Sequence, residues 1–220
     1  MIDGIVLIDK PSEMTSFGVV ARVRRLLTQQ QGKKVKVGHT GTLDPFATGL
    51  MIIVVGKECK NAEMYSKKDK VYEATIRLGQ SSTTGDSEGE ITDDFSKVPT
   101  SAEVSEVLGK FVGEITQRPP IYSAIKIDGQ RAYKLAREGK IPEMPERQIT
   151  VHSLELIDYT YPEVKVRAHV SSGTYIRTLA QDIGKILGTN AYCSQLRRTA
   201  IGECKIETAQ TLQEFGVLNP

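Results

Sequence analysis

One acidic residue, Asp44, lies in a thirteen-residue stretch that also holds three glycines and a proline. The stretch reads GHTGTLDPFATGL and covers residues 38–50, with His39 and Thr42 as further polar side chains and candidate ligand contacts. An aspartate followed by proline and a short turn is typical of a helix N-cap. A carboxylate on a rigid polar loop can instead meet a ligand and act as a nucleophile or a general base. These residues alone leave both interpretations open.

A second group of candidate residues lies in SSGTYIRTLAQDIG, residues 171–184. Its small residues predict a turn into a helix that begins with Tyr175 and Arg177. Arg177 is one position from the apolar side of that helix, so we expect its guanidinium to be partly buried. A buried guanidinium needs a carboxylate partner, because desolvating it alone is costly. The candidates are Asp182, at a poor helical spacing, and Asp44, if the fold brings the two together.

Several motifs for cofactors and metals are incomplete in this chain. Gly56-Lys57 lacks the first glycine and the hydroxyl of a phosphate-binding loop, and Gly38-x-x-Gly41 is not a dinucleotide fingerprint. GDSEGE, residues 85–90, lacks both end ligands of a calcium loop. The three cysteines and three histidines are scattered, with no CxxC pair and no metal-ligand spacing. We therefore expect chemistry from side chains alone, with no cofactor and no metal.

The composition is that of an ordinary globular protein. The chain has 220 residues, of which 39% are hydrophobic and 25% are charged. The longest apolar run, 50–55, is far shorter than a membrane span. The first residues include acids where a signal peptide would carry bases. We expect a monomeric cytoplasmic protein without membrane contact.

The charges are unevenly distributed, although the net charge is only +2. Residues 14–43 contain six arginines or lysines and no acid, whereas residues 86–106 contain seven acids and one lysine. A basic face of this kind can hold the phosphates of a nucleic acid while the total charge stays near zero. A solvated helix face beside an acidic loop is the alternative interpretation.

Hydrophobic periodicity predicts more strands than helices, and the strands are often adjacent along the chain. Strands are expected at 4–8, 50–55, 71–78, 121–127 (ending in an Asp128-Gly129 turn), 149–159, 164–170 and 196–201. Helices are expected after the N-cap pair Thr15-Ser16, near 101–108, and at 131–138, 175–187 and 208–215. This order favours an α+β fold with a largely antiparallel or mixed sheet. The polar stretch 79–99 is interpreted as a long loop or insertion rather than a domain boundary.

Six blocks of sequence, in order along the chain, resemble the bacterial TruB family of tRNA pseudouridine synthases. The blocks are LIDKPSEMTS (7–16), GHTGTLDPFATGL (38–50), KVYEATIRLG (70–79), RPPIYSAIKIDGQRAYKLAREG (118–139), SSGTYIRTLAQDIG (171–184) and YCSQLRRTAIG (192–202). The GTLDP and GTYIR blocks are specific, and the six together span almost the whole chain. The resemblance implies one pseudouridine synthase catalytic domain over 1–220, with a central sheet flanked by helices and RNA-binding loops.

The same resemblance implies an isomerase that converts uridine 55 in the T loop of tRNA to pseudouridine. The flipped-out uracil is detached from ribose at N1, turned, and reattached through C5. Asp44 matches the family's catalytic aspartate, Arg177 the arginine that pairs with it, and Tyr72 the tyrosine that stacks on the target base. The other matching residues are His39, which enters the RNA loop, Tyr175 and Leu196, which line the uracil pocket, and Lys10, a basic residue near the site.

Two features depart from the family pattern. Glu13 stands where family members usually have glycine, so we expect the first loop to differ in shape. Many members also have a C-terminal RNA-binding PUA domain, which this chain, ending at Pro220, is expected to lack. Its absence would affect the affinity for tRNA more than the chemistry.

Two other functions remain compatible with the residues. A non-catalytic tRNA-binding or RNA-folding module would use the basic face and Tyr72, but it has no need for Asp44 together with Arg177. A glycosidase-like hydrolase usually needs two acids flanking the scissile bond, and the 38–50 loop supplies one. Pseudouridine formation on a T-arm hairpin separates the synthase from the first function, and release of free uracil would favour the second.

Overall fold

The computed structural model describes residues 3–94, 97–123, 125–127, 129–140 and 142–217. The chain divides into two compact units. The first unit spans Met1–Glu73 and Leu196–Pro220, and the second spans Ala74–Gln195. The chain leaves the first unit within one strand and returns to it within another. The single catalytic domain expected from the sequence stays a prediction.

The secondary-structure elements of the described residues alternate irregularly along the chain. The helices are α1 (Ser16–Gln31), α2 (Ala62–Ser66), α3 (Ser101–Lys110), α4 (Ala132–Arg137) and α5 (Ile176–Leu187), with 3₁₀ turns at Gly56–Asn61 and Ile206–Thr208. The strands are β1 (Gly4–Lys10), β2 (Val37–His39), β3 (Thr48–Val55), β4 (Lys70–Leu78), β5 (Gln80–Ser82), β6 (Ile91–Asp93), β7 (Gly113–Gln117), β8 (Lys126–Ile127), β9 (Gln130–Arg131), β10 (Arg147–Thr160), β11 (Glu163–Val170), β12 (Ala191–Ile201), β13 (Cys204–Lys205) and β14 (Gln210–Thr211).

A mixed sheet forms the framework of the first unit. β1 and β3 pair in antiparallel orientation along the whole of β1, from Gly4↔Val55 to Lys10↔Gly49. β14 pairs with β1, and β12 pairs with β3, both in parallel orientation. β3 is buried along nearly all of its length, which explains its unbroken apolar sequence. The predicted α+β class with a mixed sheet is confirmed.

Helix α1 begins at the N-cap predicted from the sequence, and a glycine ends it. The hydroxyl of Thr15, the N-cap, accepts a hydrogen bond from the Gly18 N–H at 2.9 Å. Gly32 adopts the left-handed conformation, with φ 63°, and ends the helix. The apolar side of α1 is buried and comprises Val19, Val20, Val23 and Leu27.

The second unit is built on an antiparallel hairpin of two long strands. β10 and β11 pair as predicted, and β7 pairs with β10 in antiparallel orientation. Helix α3 contacts both β10 and α5. Helix α5 buries the predicted apolar stripe and ends at Gly188, whose φ is 75°. The helices predicted near 101–108 and at 175–187 are confirmed.

The strand predicted at 121–127 is wrong for most of its length. Residues 121–123 form bends, and of the described residues in this stretch only Lys126–Ile127 pairs, with Gln130–Arg131. Ile121 and Ile127 instead pack against a small apolar cluster of Ile125, Ala132 and Met144. The apolar residues of this stretch therefore reflect a local cluster rather than a sheet. Asp128 of the predicted turn lies outside the described residues.

Two further predictions did not include short strands that the structure contains. The helix predicted at 208–215 is wrong, because Gln210–Thr211 pairs with β1 and Gly216 leaves room for only one turn. That turn has a helix-type cap, in which the Thr211 hydroxyl accepts from the Glu214 N–H at 3.1 Å. The long loop predicted at 79–99 contains the β5–β6 hairpin.

None of the helices described in the chain has both the length and the apolar character that spanning a bilayer would require.

Candidate active site

Asp44 lies in an irregular loop that joins β2 to β3 and is called the Asp44 loop here, residues 40–47. The loop contains no helix, so the interpretation of Asp44 as a helix N-cap is wrong. Its carbonyl instead accepts a hydrogen bond from the Ala47 N–H at 3.1 Å, which closes a tight turn around Pro45 and Phe46. Asp44 itself is half-buried. The acid is therefore presented by a turn immediately before a fully buried strand.

Main-chain groups on both sides of Asp44 are held by other parts of the first unit. The Ser16 hydroxyl accepts from the Leu43 N–H at 2.8 Å and donates to the Leu43 carbonyl at 2.9 Å. The Pro45 carbonyl accepts from the Glu13 N–H at 2.9 Å. Because the residues before and after Asp44 are both fixed, its backbone is placed before any substrate arrives.

Lys10 is fully buried, with 0% of its surface exposed, and it supports the same loop. Its ammonium donates to the carbonyls of Pro11 at 2.8 Å, Met14 at 2.6 Å and Pro45 at 3.1 Å. These bonds tie the end of β1 to the Asp44 loop and compensate much of the desolvation of the charge. The structure thus gives Lys10 a positioning role, and the predicted contact with RNA stays a prediction.

Arg198 holds the other end of the loop, and the sequence analysis did not identify it. Its side chain is 1% exposed and donates to the carbonyls of Leu50 at 2.8 Å and Gly41 at 3.2 Å. Arg198 lies on β12 opposite Gly49 of β3, where an added Cβ would come within 2.3 Å of the Arg198 carbonyl oxygen. Only glycine permits this approach. The sequence of β12 gives no signal that singles out Arg198, because Arg197 stands directly before it and serine, glutamine and threonine lie in the same strand.

Glu13 has φ 62°, the left-handed region that favours glycine. Its N–H reaches the Pro45 carbonyl from this conformation, and its side chain is exposed. The backbone geometry that glycine adopts readily is therefore present here in spite of the side chain. Backbone strain at this one residue accommodates the glutamate, so the first loop need not differ in shape from a loop with glycine at position 13.

Arg177, at the start of α5, is 3% exposed and belongs to a buried network in the second unit. Its guanidinium forms an ion pair with Asp86 at 3.1 Å. It also donates to the carbonyls of Thr84 and Tyr122, each at 2.8 Å. Asp182, one candidate partner from the sequence, instead pairs with Lys185 at 3.1 Å. Whether Asp44 also pairs with Arg177 stays a prediction.

Asp86 was missed because its acidic surroundings resemble a solvated loop. Its exposed fraction is only 2%. One carboxylate oxygen accepts from the Thr84 hydroxyl and from the Glu88 N–H at 3.0 Å, while the other faces Arg177. The acidic segment thus folds around one buried carboxylate, which balances the buried guanidinium.

The remaining predicted site residues are distributed between the two units. In the first unit, His39 ends β2 and is half-buried, Thr42 is exposed, and Tyr72 and Leu196 are buried on β4 and β12. In the second unit, Tyr175 is the N-cap of α5 and is half-buried. The structure therefore links Lys10 to the Asp44 loop, and Tyr175 to Arg177 within one helical turn.

Replacing Glu13 with glycine should stabilise the first unit. Glycine removes a left-handed strain of about 1–2 kcal/mol and adds a backbone entropy cost of about 0.5–1 kcal/mol. The expected net gain in the free energy of unfolding is therefore about 0.5–1 kcal/mol, measured by urea denaturation. Glu13→Ala is the control, since it removes the side chain but keeps the strain. Equal stability of the two variants would contradict the argument.

Asp86→Asn should destabilise the protein strongly, because it removes the charge of the buried carboxylate that pairs with the Arg177 guanidinium. Breaking a buried ion pair in this way costs about 3–5 kcal/mol. Asp182→Asn is the matched control: its pair with Lys185 is more exposed, and such a pair contributes about 0–1 kcal/mol. Urea denaturation of both variants tests the difference. A loss for Asp86→Asn no larger than that of the control would show that the buried pair is not needed.

Comparison with family models supports one assignment over nearly the whole chain. Residues 24–176 match the model described as TruB family pseudouridylate synthase (N terminal domain). Residues 177–218 match the model described as tRNA pseudouridylate synthase B C-terminal domain. The boundary between the two models falls directly before Arg177.

Curated relatives and solved structures agree with this assignment. A protein named tRNA pseudouridine synthase B from Azoarcus sp. strain BH72 is 45% identical over 213 residues, covering 97% of this chain and 69% of the relative. A protein of the same name from Burkholderia mallei is 44% identical over 211 residues, covering 96% and 68%.

Among solved structures, a chain of a Cbf5-Nop10-Gar1 complex superimposes with a TM-score of 0.71 at 30% identity. A chain of an H/ACA RNP bound to a substrate RNA containing 2'-deoxyuridine superimposes with a TM-score of 0.69 at 28% identity. The present chain spans 52% and 51% of those two chains. The sequence and the fold lead to the same conclusion: the chain belongs to the TruB family of pseudouridylate synthases.

Proposed function

We propose that this protein isomerises uridine to pseudouridine at position 55 in the T loop of tRNA, with Asp44 as the nucleophile. It does so as a monomer in the cytoplasm, without a cofactor, and recognises the T arm. The observation that best supports the proposal is the Asp44 loop, whose backbone is fixed on both sides of one half-buried carboxylate. A helix cap needs no such support, whereas a nucleophile gains from being held in place.

The target uracil must leave its stack before a carboxylate can reach the glycosidic bond. Extraction of a base costs a few kcal/mol. Stacking of the base on Tyr72 returns about 1–3 kcal/mol, and His39 fills the space that the base vacates. Asp44 then attacks the nucleotide, or removes the proton that starts glycosidic cleavage, while the uracil turns. Thr42, exposed on the same loop, contacts the RNA beside the target.

Arg177 orients the anionic form of Asp44 in the substrate complex, and Tyr175 and Leu196 line the uracil pocket. Support for Arg177 comes from its own surroundings: two carbonyls and Asp86 fix the guanidinium in one orientation. A planar guanidinium held in this way presents its remaining N–H groups in defined directions. An arginine always keeps its charge, so it serves as an electrostatic partner and not as an acid or base.

The basic part of the first unit binds tRNA phosphates. α1 contains Arg22, Arg24 and Arg25 and no acidic residue, and the following loop adds exposed lysines at 33, 34 and 36. The Arg24 guanidinium lies 5.6 Å from the centre of the Phe17 ring, which is 67% exposed. Lysines and arginines that contact phosphates release counterions, so binding weakens as salt rises.

Asp44→Asn should abolish pseudouridine formation on an unmodified tRNA transcript, by about 10³-fold or more, since it removes the nucleophile. The affinity for tRNA should stay within about threefold, because the loop is held through its main chain and the amide keeps the shape. Pseudouridine is mapped by position on the transcript and on a T-arm hairpin, and the dissociation constant is measured separately.

Asp158→Asn, which alters an exposed carboxylate on β10, is the control and should keep normal turnover. Turnover by Asp44→Asn near the wild-type rate would remove Asp44 from the chemistry. Tight binding of tRNA by the wild type without any pseudouridine would favour the non-catalytic RNA-binding module. Pseudouridine at positions other than 55 would overturn the proposed specificity but not the reaction.

Tyr72→Phe tests whether the Tyr72 hydroxyl accepts the proton that leaves C5 late in the reaction. Phenylalanine keeps the stacking surface, so tRNA affinity should be unchanged while turnover falls by about 10²-fold or more. Tyr65→Phe is the control, since the Tyr65 hydroxyl donates to Glu58 at 2.8 Å. Full turnover by Tyr72→Phe would show that Tyr72 stacks on the base and does not accept the proton.

A further inference from the structure

The last residue of β7, Gln117, is almost completely buried, with 2% of its surface exposed. Its side-chain amide bonds to both main-chain groups of a single residue, Tyr175. The Gln117 Oε1 atom accepts from the Tyr175 N–H at 2.8 Å, and Nε2 donates to the Tyr175 carbonyl at 3.0 Å. The two bonds resemble a hydrogen-bonded residue pair in an antiparallel sheet, with one side chain replacing a strand.

The residues that follow Gln117 also bond to the first turn of α5. The Arg118 carbonyl accepts from the Thr178 hydroxyl at 3.3 Å, and the Tyr122 carbonyl accepts from Arg177 at 2.8 Å. Two prolines lie between these carbonyls and restrict the backbone. The segment 117–122 therefore fixes the first turn of α5 at three successive points.

Tyr175 depends on this segment more than its neighbours do. As the N-cap of α5 it has no capping bond from its own side chain. Its side chain packs at the edge of the cluster formed by Ile125, Ala132 and Met144. Its carbonyl accepts from both Gln117 Nε2 and the Leu179 N–H at 3.1 Å, while its N–H donates to Gln117 Oε1.

We infer that Gln117 is a positioning residue for the uracil pocket, which it serves by holding Tyr175 and, through the first turn of α5, Arg177. The inference rests on the proposed function. The Gln117 amide provides both a donor and an acceptor, and both are used. Errors of about 1 Å in the placement of a site residue can reduce a rate by about 10²-fold. Gln117 thus acts on turnover without touching the RNA.

Two variants separate the hydrogen bonds from the packing. Gln117→Met keeps the length and volume of the side chain and removes both bonds. Gln117→Glu keeps the acceptor, but its ionised carboxylate cannot donate and faces the Tyr175 carbonyl. A protonated carboxyl would restore the donor, and burial favours that neutral form. The positive charges of Arg118, of Arg147 (opposite Gln117 on β10) and of Arg177 favour the ionised form, so the donor returns only as the pH falls.

The experiment measures kcat, KM and tRNA affinity on an unmodified transcript between pH 5.5 and 8.5, with each variant normalised to the wild type at the same pH. Gln117→Met should lower kcat by about tenfold to 10²-fold at every pH, with tRNA affinity unchanged. Gln117→Glu should show a similar loss at pH 8.5 and recover toward pH 5.5, because its carboxyl becomes neutral as the pH falls. Gln148→Met is the matched control: Gln148 is exposed on β10 and donates to the Thr116 hydroxyl at 2.8 Å.

The outcomes distinguish the positioning role from a structural role and from failure of the proposed function. If the wild type forms no pseudouridine, the proposed function is overturned, whatever the variants do. Normal kcat in Gln117→Met, or normal kcat in Gln117→Glu at pH 8.5, would overturn the role of Gln117. Should Gln117→Met fail to fold, Gln117→Glu at pH 8.5 decides: a lower kcat at unchanged tRNA affinity supports the positioning role, and a normal kcat overturns it.

Discussion

The structure around Asp44 depends on buried polar side chains that bind main-chain carbonyls. Lys10 and Arg198 are both almost fully buried, and each bonds to carbonyls at one end of the Asp44 loop. Carbonyl oxygens exposed to an apolar interior would be costly, and so would the two cations. The cations donate hydrogen bonds to the carbonyls, so neither kind of group is buried without a partner. An irregular loop can therefore pack tightly beside an apolar strand. The cations in this part of the protein are used to shape the backbone.

Burying cations close together has a cost that is visible at Lys70, which also lies in the first unit. Burial lowers the pKa of Lys70 to about 8, and the nearby charge of Arg198 adds to the effect. The unfolded chain has the ordinary pKa of 10.5, so it binds more protons than the folded chain between these values. The cost is therefore fully present below pH about 8 and is relieved as the pH rises toward 10.5.

The sequence predicted the elements that follow a local rule. The N-cap of α1, the apolar stripe of α5 and the β10–β11 hairpin each depend on residues close together in sequence, and all three were found. The stretch 121–127 was misread because an apolar run in a local cluster has the same composition as a strand. Periodicity cannot separate the two when a stretch is this short.

The candidate site also divides into residues that local sequence predicts and residues that depend on distant contacts. Motif resemblance supplied Asp44, Arg177 and Tyr72, because their neighbours in the sequence are specific. It did not supply Arg198, Asp86 or Gln117, whose partners are main-chain groups or side chains between 58 and 157 residues away. Contacts to the main chain leave no pattern in the partner's residue type. The burial that gives these polar residues their importance becomes visible only in the structure.

This use of the main chain also separates chemistry from stability. The bonds of Lys10, Ser16 and Arg198 end on carbonyl and N–H groups of the Asp44 loop, so these three supports do not depend on which side chain stands at position 44. In the second unit, Gln117 likewise binds the peptide groups of Tyr175. Supports of this kind place the backbone of a site residue without using the atoms that would meet the substrate.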